Sequence, residues 1–460
     1  MNQSHDAGGD SPAHDDIDEG AARDRAGSAS SAASPTASPP ACPAVSPGVS
    51  RRRLLGTTGA AGAVGLAAGA AGGVFGHAAT RPEPPTALNS VGGTEYAFHG
   101  RRQPGIVEPL QAHGHLVAFD LAPGAGRREA AALLRRWSRT AATLMAGRTP
   151  QDGDATPTGI ALDAGPSALT ITFGLGATFF DRTGLADARP AALAPLPAFS
   201  ADALDRRRSD GDLWVQIAAD DALVAFDALR LVRRQAGDAA RVRWHMTGFN
   251  RTPGATAEPR SQRNLMGQVD GTNNPRPGDP DFDARVFVPR EGGDGRHPAW
   301  MADGSYAVVR RIRMLLDAWD ELPLDGQEKV IGRRKSDGAP LSGGRETTPV
   351  DLEKRTAGGE LAVAANAHVR VSAPETNGGA AMLRRSYSYQ DGQRPDGTVD
   401  AGLLFVAWQS DPLRGFVPVQ RKLDRGDALS EFIRHEASAL FAVPPAPAEG
   451  EYVAQPLLEG

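Results

Sequence analysis

Cysteine is almost absent from this sequence, since Cys42 is the sole one in 460 residues. An intramolecular disulfide, a thiolate zinc cluster and an iron–sulfur centre built from this chain alone are therefore excluded. The sequence also lacks an excess of positive charge, because 55 Asp and Glu outnumber 50 Lys and Arg. Acids are interleaved with the arginines, so nucleic acid is not an expected partner. Redox chemistry in this protein would require a separate carrier.

The common catalytic signatures are missing too. The sequence contains no phosphate-binding Walker loop, no Gly-x-Ser-x-Gly elbow and no His-Glu-x-x-His. Gly174-Leu175-Gly176 resembles a dinucleotide-binding turn, but the third glycine is absent and the predicted strand order differs from that fold. The chemistry must therefore come from a less common arrangement.

The first eighty residues predict an export segment. Residues 1–49 are mostly Ser, Ala, Pro, Gly and Asp, a composition typical of a disordered leader. Residues 50–80 begin with SRRRLL, continue with a Gly/Ala/Val-rich stretch and end in small residues, which predicts a twin-arginine signal peptide. A membrane span is the alternative interpretation of this stretch. The export machinery is then a partner, the expected location is periplasmic or extracellular, and a bound cofactor becomes a reasonable expectation because this route carries folded proteins.

The rest of the chain shows one pattern twice. In the first half, period-two alternation predicts strands near 115–121, 169–173, 213–217 and 242–246, and helical spacing predicts helices near 130–145 and 220–232. In the second half, strands are predicted near 306–312, 363–371, 403–408 and 439–443, with helices near 315–331 and 427–438. Strand, helix, strand, strand, helix, strand is the ferredoxin-like order. The predicted fold class is α+β, with one such domain at 95–255 and another at 256–455.

Several motifs in the second half occur together and in a fixed order. They are RNLMGQVDGTNNP at 263–275, WD at 319–320, QE at 327–328, IGR at 331–333, GAPL at 338–341, NAHVR at 366–370, MLRRSYSY at 382–389 and FAVPP at 441–445. A Gly-x-x-Asp-Gly alone would indicate no more than a turn. Together, the motifs resemble those of the dye-decolorizing peroxidases, most closely the exported subgroup that includes the deferrochelatase/peroxidases. The resemblance extends from about Phe98 to Leu458 and implies two ferredoxin-like domains with haem between them or within the second.

The resemblance implies one haem b per chain, with His368 as the ligand of its iron. A neutral imidazole whose other ring nitrogen is held by a hydrogen bond suits this role. His435 is the main competing ligand, because it lies near the C-terminal motif on what the pattern predicts to be the last helix. Glu431, one turn earlier, is the expected carboxylate partner of the His368 ring, with a solvated helix face as its alternative role.

On the other side of the haem, the resemblance makes Asp270 the acid–base group and Arg384 the stabiliser of developing charge. The carboxylate moves a proton between the two peroxide oxygens, and the arginine favours the ionised carboxylate. Activity in the acidic range is therefore expected. The same resemblance places further residues at the haem: Gly271, Thr272, Ala373, Pro374 and Glu375.

Two positions differ from the family pattern. Gln268 stands where an aromatic residue commonly precedes the catalytic acid, so more polar packing is expected there. Glu375 stands where relatives often carry a basic residue near a haem propionate. Because a carboxylate repels a propionate, we expect Glu375 to turn outward or to pair with an arginine. Haem affinity is the property that this substitution would affect.

The implied function is oxidation of dyes or phenolic compounds by hydrogen peroxide through a ferryl intermediate. Bulky dyes do not fit a small pocket, which makes Tyr387, Tyr389 and Trp408 candidates for electron transfer to the surface; packing is their alternative role. Two further functions stay open: a deferrochelatase that releases iron and leaves the porphyrin intact, and a non-catalytic haem-binding protein. The sequence also leaves a homo-oligomer open.

Overall fold

A computed structural model describes residues 90–150, 159–256, 261–290 and 295–460. The leader at 1–49 and the signal at 50–80 lie outside these ranges and stay predictions. None of the helices in the described ranges combines the length and the hydropathy that a membrane crossing requires.

The described residues contain strands and α-helices with the following bounds. The strands are β1 (His113–Leu121), β2 (Thr170–Gly176), β3 (Leu213–Ala219), β4 (Ala240–Phe249), β5 (Ser305–Met314), β6 (Leu383–Arg384), β7 (Tyr387–Gln393), β8 (Val399–Gln409) and β9 (Ile433–Val443). The helices are α1 (Ser90–Gly93), α2 (Arg127–Met145), α3 (Ala177–Thr183), α4 (Ala222–Ala236), α5 (Phe282–Val286), α6 (Leu316–Asp320), α7 (Leu324–Ile331), α8 (His368–Val371), α9 (Phe416–Gly426) and α10 (Gln455–Glu459). A 3-10 helix, Ala428–Phe432, joins α9 to β9.

Both halves of the chain have the same strand order. The first half pairs its strands antiparallel in the order β4-β1-β3-β2, and the second half in the order β9-β5-β8-β7. Numbered within each half, with the two-residue β6 left out, both orders are 4-1-3-2, and a helical connection follows the first and third strands. The predicted α+β fold with two ferredoxin-like units is therefore confirmed.

The two sheets are joined at both edges. Leu175 of β2 pairs with Ala442 of β9, and Phe249 of β4 pairs with Ser388 of β7, so the strands form a closed ring. Aromatic side chains fill its interior, where Trp214 and Phe441 stack with ring centroids 5.3 Å apart. Outside the ring, α2 and α4 pack on the first sheet. The rigid sheets thus hold the loops and short helices that surround the second unit.

Three predictions for the second half were wrong. Residues 363–371 form no strand, and α8 occupies the end of that stretch. The predicted helix at 315–331 is interrupted before Pro323, whose ring prevents a continuous helix. Residues 427–438 are not a helix, because β9 begins at Ile433 and pairs along its whole length with β5. Pairing with a distant strand outweighs the local helical spacing there.

Candidate functional site

A cavity of 490 Å³ lies within the second ferredoxin-like unit, and its lining residues all fall between Asn264 and His435. Small-molecule and cofactor sites measure about 300–1,000 Å³. The sequence-predicted residues that line it are Asp270, Gly271, Thr272, His368, Ala373, Pro374, Glu375 and Arg384. Glu431 is not among them. Residues far apart in the sequence therefore meet around one space.

His368 begins the short helix α8, and its ring is fixed by a buried carboxylate. Asp427 Oδ2 accepts a hydrogen bond from His368 Nδ1 at 2.7 Å, and the Asp427 side chain is 1% exposed. Burial opposes the charged ring, but the charge and hydrogen bond of Asp427 outweigh it, so the pKa of His368 is raised. The bond occupies Nδ1, which leaves Nε2 as the nitrogen able to bind a ligand.

Glu431 does not hold the His368 ring, and that prediction was wrong. Glu431 is exposed in the 3-10 helix, whereas Asp427 caps the start of this helix by accepting a hydrogen bond from Leu429 N at 3.0 Å. The prediction assumed that a continuous helix places Glu431 one turn before His435. Because the chain enters β9 at Ile433 instead, the acid at the cap is the one that faces α8.

Asp270 and Arg384 form an ion pair at the cavity. Arg384 Nη1 lies 3.2 Å from Asp270 Oδ1, and the two side chains are 29% and 27% exposed. Asn264 Nδ2 donates to Asp270 Oδ2 at 3.4 Å. Asn274 fixes the arginine, since its Oδ1 accepts from Arg384 Nε at 3.2 Å and its Nδ2 donates to Arg384 O at 2.7 Å. The carboxylate is thus available for proton transfer beside a fixed positive charge.

The turn that carries Asp270 requires glycine. Gly271 has a φ of 95°, in the left-handed region that glycine adopts without strain. Next to it, Thr272 Oγ1 donates to Glu346 Oε1 at 3.0 Å. A second cavity, of 1320 Å³, shares Asp270 and Arg384 with the first. The ion pair therefore lies where the two cavities meet.

Buried nitrogen atoms without a protein partner occur in the cavity wall. Arg310 is 1% exposed and bonds Asp202 through Nη2, while its Nε and Nη1 have no partner. His435, 5% exposed, also has an unpartnered Nδ1. Burial and the nearby Arg310 charge lower the pKa of His435 to about 3, so its ring is neutral. Unsatisfied buried donors are costly, and an anionic group in the cavity would satisfy them.

The two positions that depart from the family pattern differ in burial. Gln268 is 3% exposed, lines the cavity and has an unpartnered Nε2, so a polar amide indeed packs there. Glu375 is exposed at the cavity edge, which agrees with the expectation that its side chain turns outward.

Tyr387, Tyr389 and Trp408 do not reach the surface. Each is 0% exposed and belongs to the core inside the ring of strands. The Tyr389 hydroxyl accepts a hydrogen bond from Arg311, which is buried as well. The three side chains are therefore not surface groups: they pack in the core, the alternative role expected for them, and a relay role stays a prediction.

Comparisons with known proteins agree with this architecture. The family model described as Dyp-type peroxidase, N-terminal, matches residues 103–250, and the C-terminal model matches residues 261–448. The chain belongs to the Dyp-type peroxidase family. A dye-decolorizing peroxidase of Thermobifida fusca (strain YX) is 48% identical over 368 residues, which cover 78% of this chain and 84% of that protein. The family resemblance and the assignment as a peroxidase enzyme are thus confirmed.

Other relatives of this Dyp-type peroxidase include proteins with a different named activity. A deferrochelatase of Escherichia coli (strain K12) is 34% identical over 424 residues, which cover 89% of this chain and 97% of that protein. Among solved structures, ferric DtpA from Streptomyces lividans is 68% identical with a TM-score of 0.78, and the match covers 82% of this chain and 100% of that one. The comparisons support a peroxidase and leave its substrates open.

Sequence reasoning missed three groups at this site. Asp427 carries a helix-cap signal, because an Asp starts the DALS segment, and this signal would have indicated an acid held at the start of a helix. Asn274 lies within the 263–275 motif, immediately before a proline that favours a turn. Arg310 shows no signal that separates it from its neighbours in the RRIR segment.

Proposed function

We propose that this Dyp-type peroxidase binds one haem b in the 490 Å³ cavity, with His368 Nε2 as the protein ligand of the iron. The observation that carries the proposal is that the His368–Asp427 pair and the Asp270–Arg384 pair line the same cavity. A carboxylate on the far nitrogen of a ligating imidazole is the usual arrangement at protein metal sites. His435 has no such carboxylate, which favours His368 over it.

The rest of the cavity wall fits haem as well. Apolar side chains suited to a macrocycle line it, among them Ile312, Met314, Leu403 and Phe405. The unpartnered nitrogens of Arg310 and His435 suit a propionate carboxylate, which haem carries and a neutral ligand does not. Arg310 would hold that carboxylate, while exposed Glu375 stays away from it.

Bound haem supplies the oxidising chemistry, in which one peroxide takes two single electrons from aromatic reductants such as dyes or phenols. With haem bound, Asp270 Oδ would accept a proton from one peroxide oxygen and return it to the other, so that the O–O bond breaks and the protonated oxygen leaves as water. The second oxygen would leave as water after two electrons and two protons have been supplied. Arg384 stabilises negative charge on that oxygen, and Asn264 and Asn274 keep the two groups in place. The second cavity meets the ion pair and gives peroxide a route to it.

The experiment measures peroxide consumption by Asp270→Asn and Arg384→Leu in rapid-mixing kinetics. General acid–base catalysis contributes about 10²–10⁴-fold, so we expect a loss of this order in Asp270→Asn with an unchanged Soret band. Asp205→Asn is the matched control, because Asp205 pairs with Arg207 on the surface. Full activity in both cavity variants would refute the assigned roles.

A second candidate function is release of iron from haem with the porphyrin left intact. The relatives named deferrochelatase support it, since the match covers nearly their whole length. Both functions use the same cavity and the same ligand. Assays of free iron and of protoporphyrin, run beside guaiacol oxidation on the same holoprotein, distinguish them. Protoporphyrin without guaiacol oxidation would favour the second candidate.

We also propose export by the twin-arginine route to the periplasm or the outside of the cell. The support is the SRRRLL sequence before a Gly/Ala-rich stretch at 50–80. Replacement of Arg51 and Arg52 by Lys should retain the protein in the cytoplasm, as measured by cell fractionation. Unchanged export would refute the proposal.

A further inference from the structure

Two histidines and a threonine meet on the outer face of the first sheet, away from both cavities. β1 and β4 are neighbours, with His115 paired to Thr247 and Val117 paired to His245. His115 is 8% exposed, whereas His245 and Thr247 are exposed. None of the three lines either cavity. The cluster is therefore separate from the peroxidase site.

The donor atoms of these side chains form a nearly equilateral triangle. His115 Nδ1 lies 3.2 Å from Thr247 Oγ1 and 3.3 Å from His245 Nε2, and His245 Nε2 lies 3.3 Å from Thr247 Oγ1. In tetrahedral zinc sites the metal–nitrogen distance is about 2.0–2.1 Å, which places two ligand atoms about 3.3 Å apart. The three edges therefore match one face of a tetrahedral metal site.

Mutual hydrogen bonds explain this triangle less well than a shared metal ion does. Each nitrogen of a neutral imidazole offers either one proton or one lone pair, and a hydroxyl has a single proton to donate. Three mutual contacts at these distances cannot all be well-directed hydrogen bonds, because each ring nitrogen would have to point at two partners. A cation above the centre of the triangle accepts a lone pair from each atom at once.

The two imidazoles come from adjacent strands, so both can present a ring nitrogen to one ion. Neutral imidazole is the form that binds metals. Within the described ranges, no three His, Cys, Asp or Glu side chains could jointly hold a metal ion. A non-haem site there requires a donor of another type, which Thr247 provides.

We propose that His115, His245 and Thr247 form a second, non-haem metal site for a divalent late transition metal such as Zn²⁺, with water as the fourth ligand. Imidazole suits Zn²⁺, Cu²⁺ and Ni²⁺, and the tetrahedral spacing favours Zn²⁺ among them. Because the ligands come from two paired strands, a bound ion would link β1 to β4. The proposal does not depend on the haem site.

The test is calorimetric titration of Zn²⁺ into holoenzyme that has been treated with EDTA and dialysed. We expect one equivalent to bind to this site, with affinity at least tenfold lower in both His115→Gln and His245→Gln. Thr247→Val should weaken binding to a smaller extent. His99→Gln is the control, because it removes a histidine that contacts Phe98 instead.

A second measurement keeps the test independent of folding. His245 is exposed, so His245→Gln should retain the wild-type Soret band and peroxidase rate. Added Zn²⁺ should raise the Tm of wild type and of His99→Gln, but not that of His245→Gln. Equal Zn²⁺ affinity in wild type and His245→Gln, or no binding to wild type, would overturn the proposal.

Discussion

The substitution Asp427→Asn removes the charge beside His368 and leaves the side chain nearly the same size. In the structure, Asp427 Oδ2 accepts from His368 Nδ1 at 2.7 Å, and Oδ1 accepts from Leu429 N at 3.0 Å. An asparagine can keep the helix cap with Oδ1, and it then presents its NH₂ group to the ring. His368 Nδ1 must accept that hydrogen bond, which places the ring proton on Nε2. The nitrogen that should bind iron thereby loses its free lone pair.

The size of the effect follows from the burial of this pair. A hydrogen bond to a charged group contributes about 1.5–3 kcal/mol, and the 1% exposure of Asp427 means that water screens little of it. Loss of such a partner typically lowers metal affinity or activity about 10–100-fold. We therefore expect haem to transfer from Asp427→Asn to apomyoglobin about 10–100-fold faster than from wild type.

The matched control is Glu431→Gln, which removes an exposed acid from the same 3-10 helix. Its haem transfer rate should equal that of wild type, and circular dichroism should show both variants folded. If Asp427→Asn held haem as firmly as wild type, the assignment of His368 as a ligand fixed by Asp427 would be refuted. If Glu431→Gln alone lost haem, the interpretation of the 3-10 helix would fail as well.

Three further predictions concern stability and pH. A histidine in the unfolded chain has a pKa near 6.5, whereas burial and the Arg310 charge lower the pKa of His435 to about 3 in the folded protein. Between these two pH values the unfolded chain binds a proton that the folded protein does not. The free energy of unfolding therefore falls as the pH falls from about 6.5 to about 3. Between pH 7.5 and pH 5 His435 should account for about 2 kcal/mol of lost stability in guanidinium unfolding of haem-free protein, so His435→Gln should lose about 2 kcal/mol less than wild type over this range. Gly402→Ala should destabilise the fold by about 1–3 kcal/mol or more, because the added Cβ would lie 2.0 Å from Ile312 O. As the control, Gly278→Ala adds its Cβ in open space, so its free energy of unfolding should lie within about 0.5 kcal/mol of the wild-type value in the same assay. Dye oxidation should be substantial in the acidic range if Asp270 is the base, and a pH–rate profile that rises only above neutrality would contradict this role.

The sequence predicted the first half of the fold well, because its strands and helices have local signals. In β1 the alternation of Val117, Phe119 and Leu121 corresponds to the side that packs under α2 and α4. Helical spacing from Ala130 to Met145 likewise matches the buried face of α2. These patterns reflect burial of one face, which a single sequence records directly.

The second half was predicted less well, because long-range pairing decides its structure. Leu429, Phe432 and Ile433 have helical spacing, yet Ile433 begins β9 through its pairing with Met314 of β5. The error had a direct consequence for the site, since it led to Glu431 and left Asp427 unconsidered. Which acid meets His368 depends on the path of the chain between α9 and β9, and no local pattern specifies that path.

The duplication explains why the 490 Å³ cavity lies in the second unit. In the first unit the connection after β1 is the long helix α2, which covers the outer face of the sheet with buried side chains. In the second unit the equivalent connection is divided into the short helices α6 and α7, and the chain from there to β6 contains α8 and one 3-10 turn. The outer faces of β5 and β8 consequently line a cavity through Ile312 and Phe405 instead of packing under a long helix. The site therefore arises in the second unit because that unit has no long helix equivalent to α2, which covers the outer face of the sheet in the first unit.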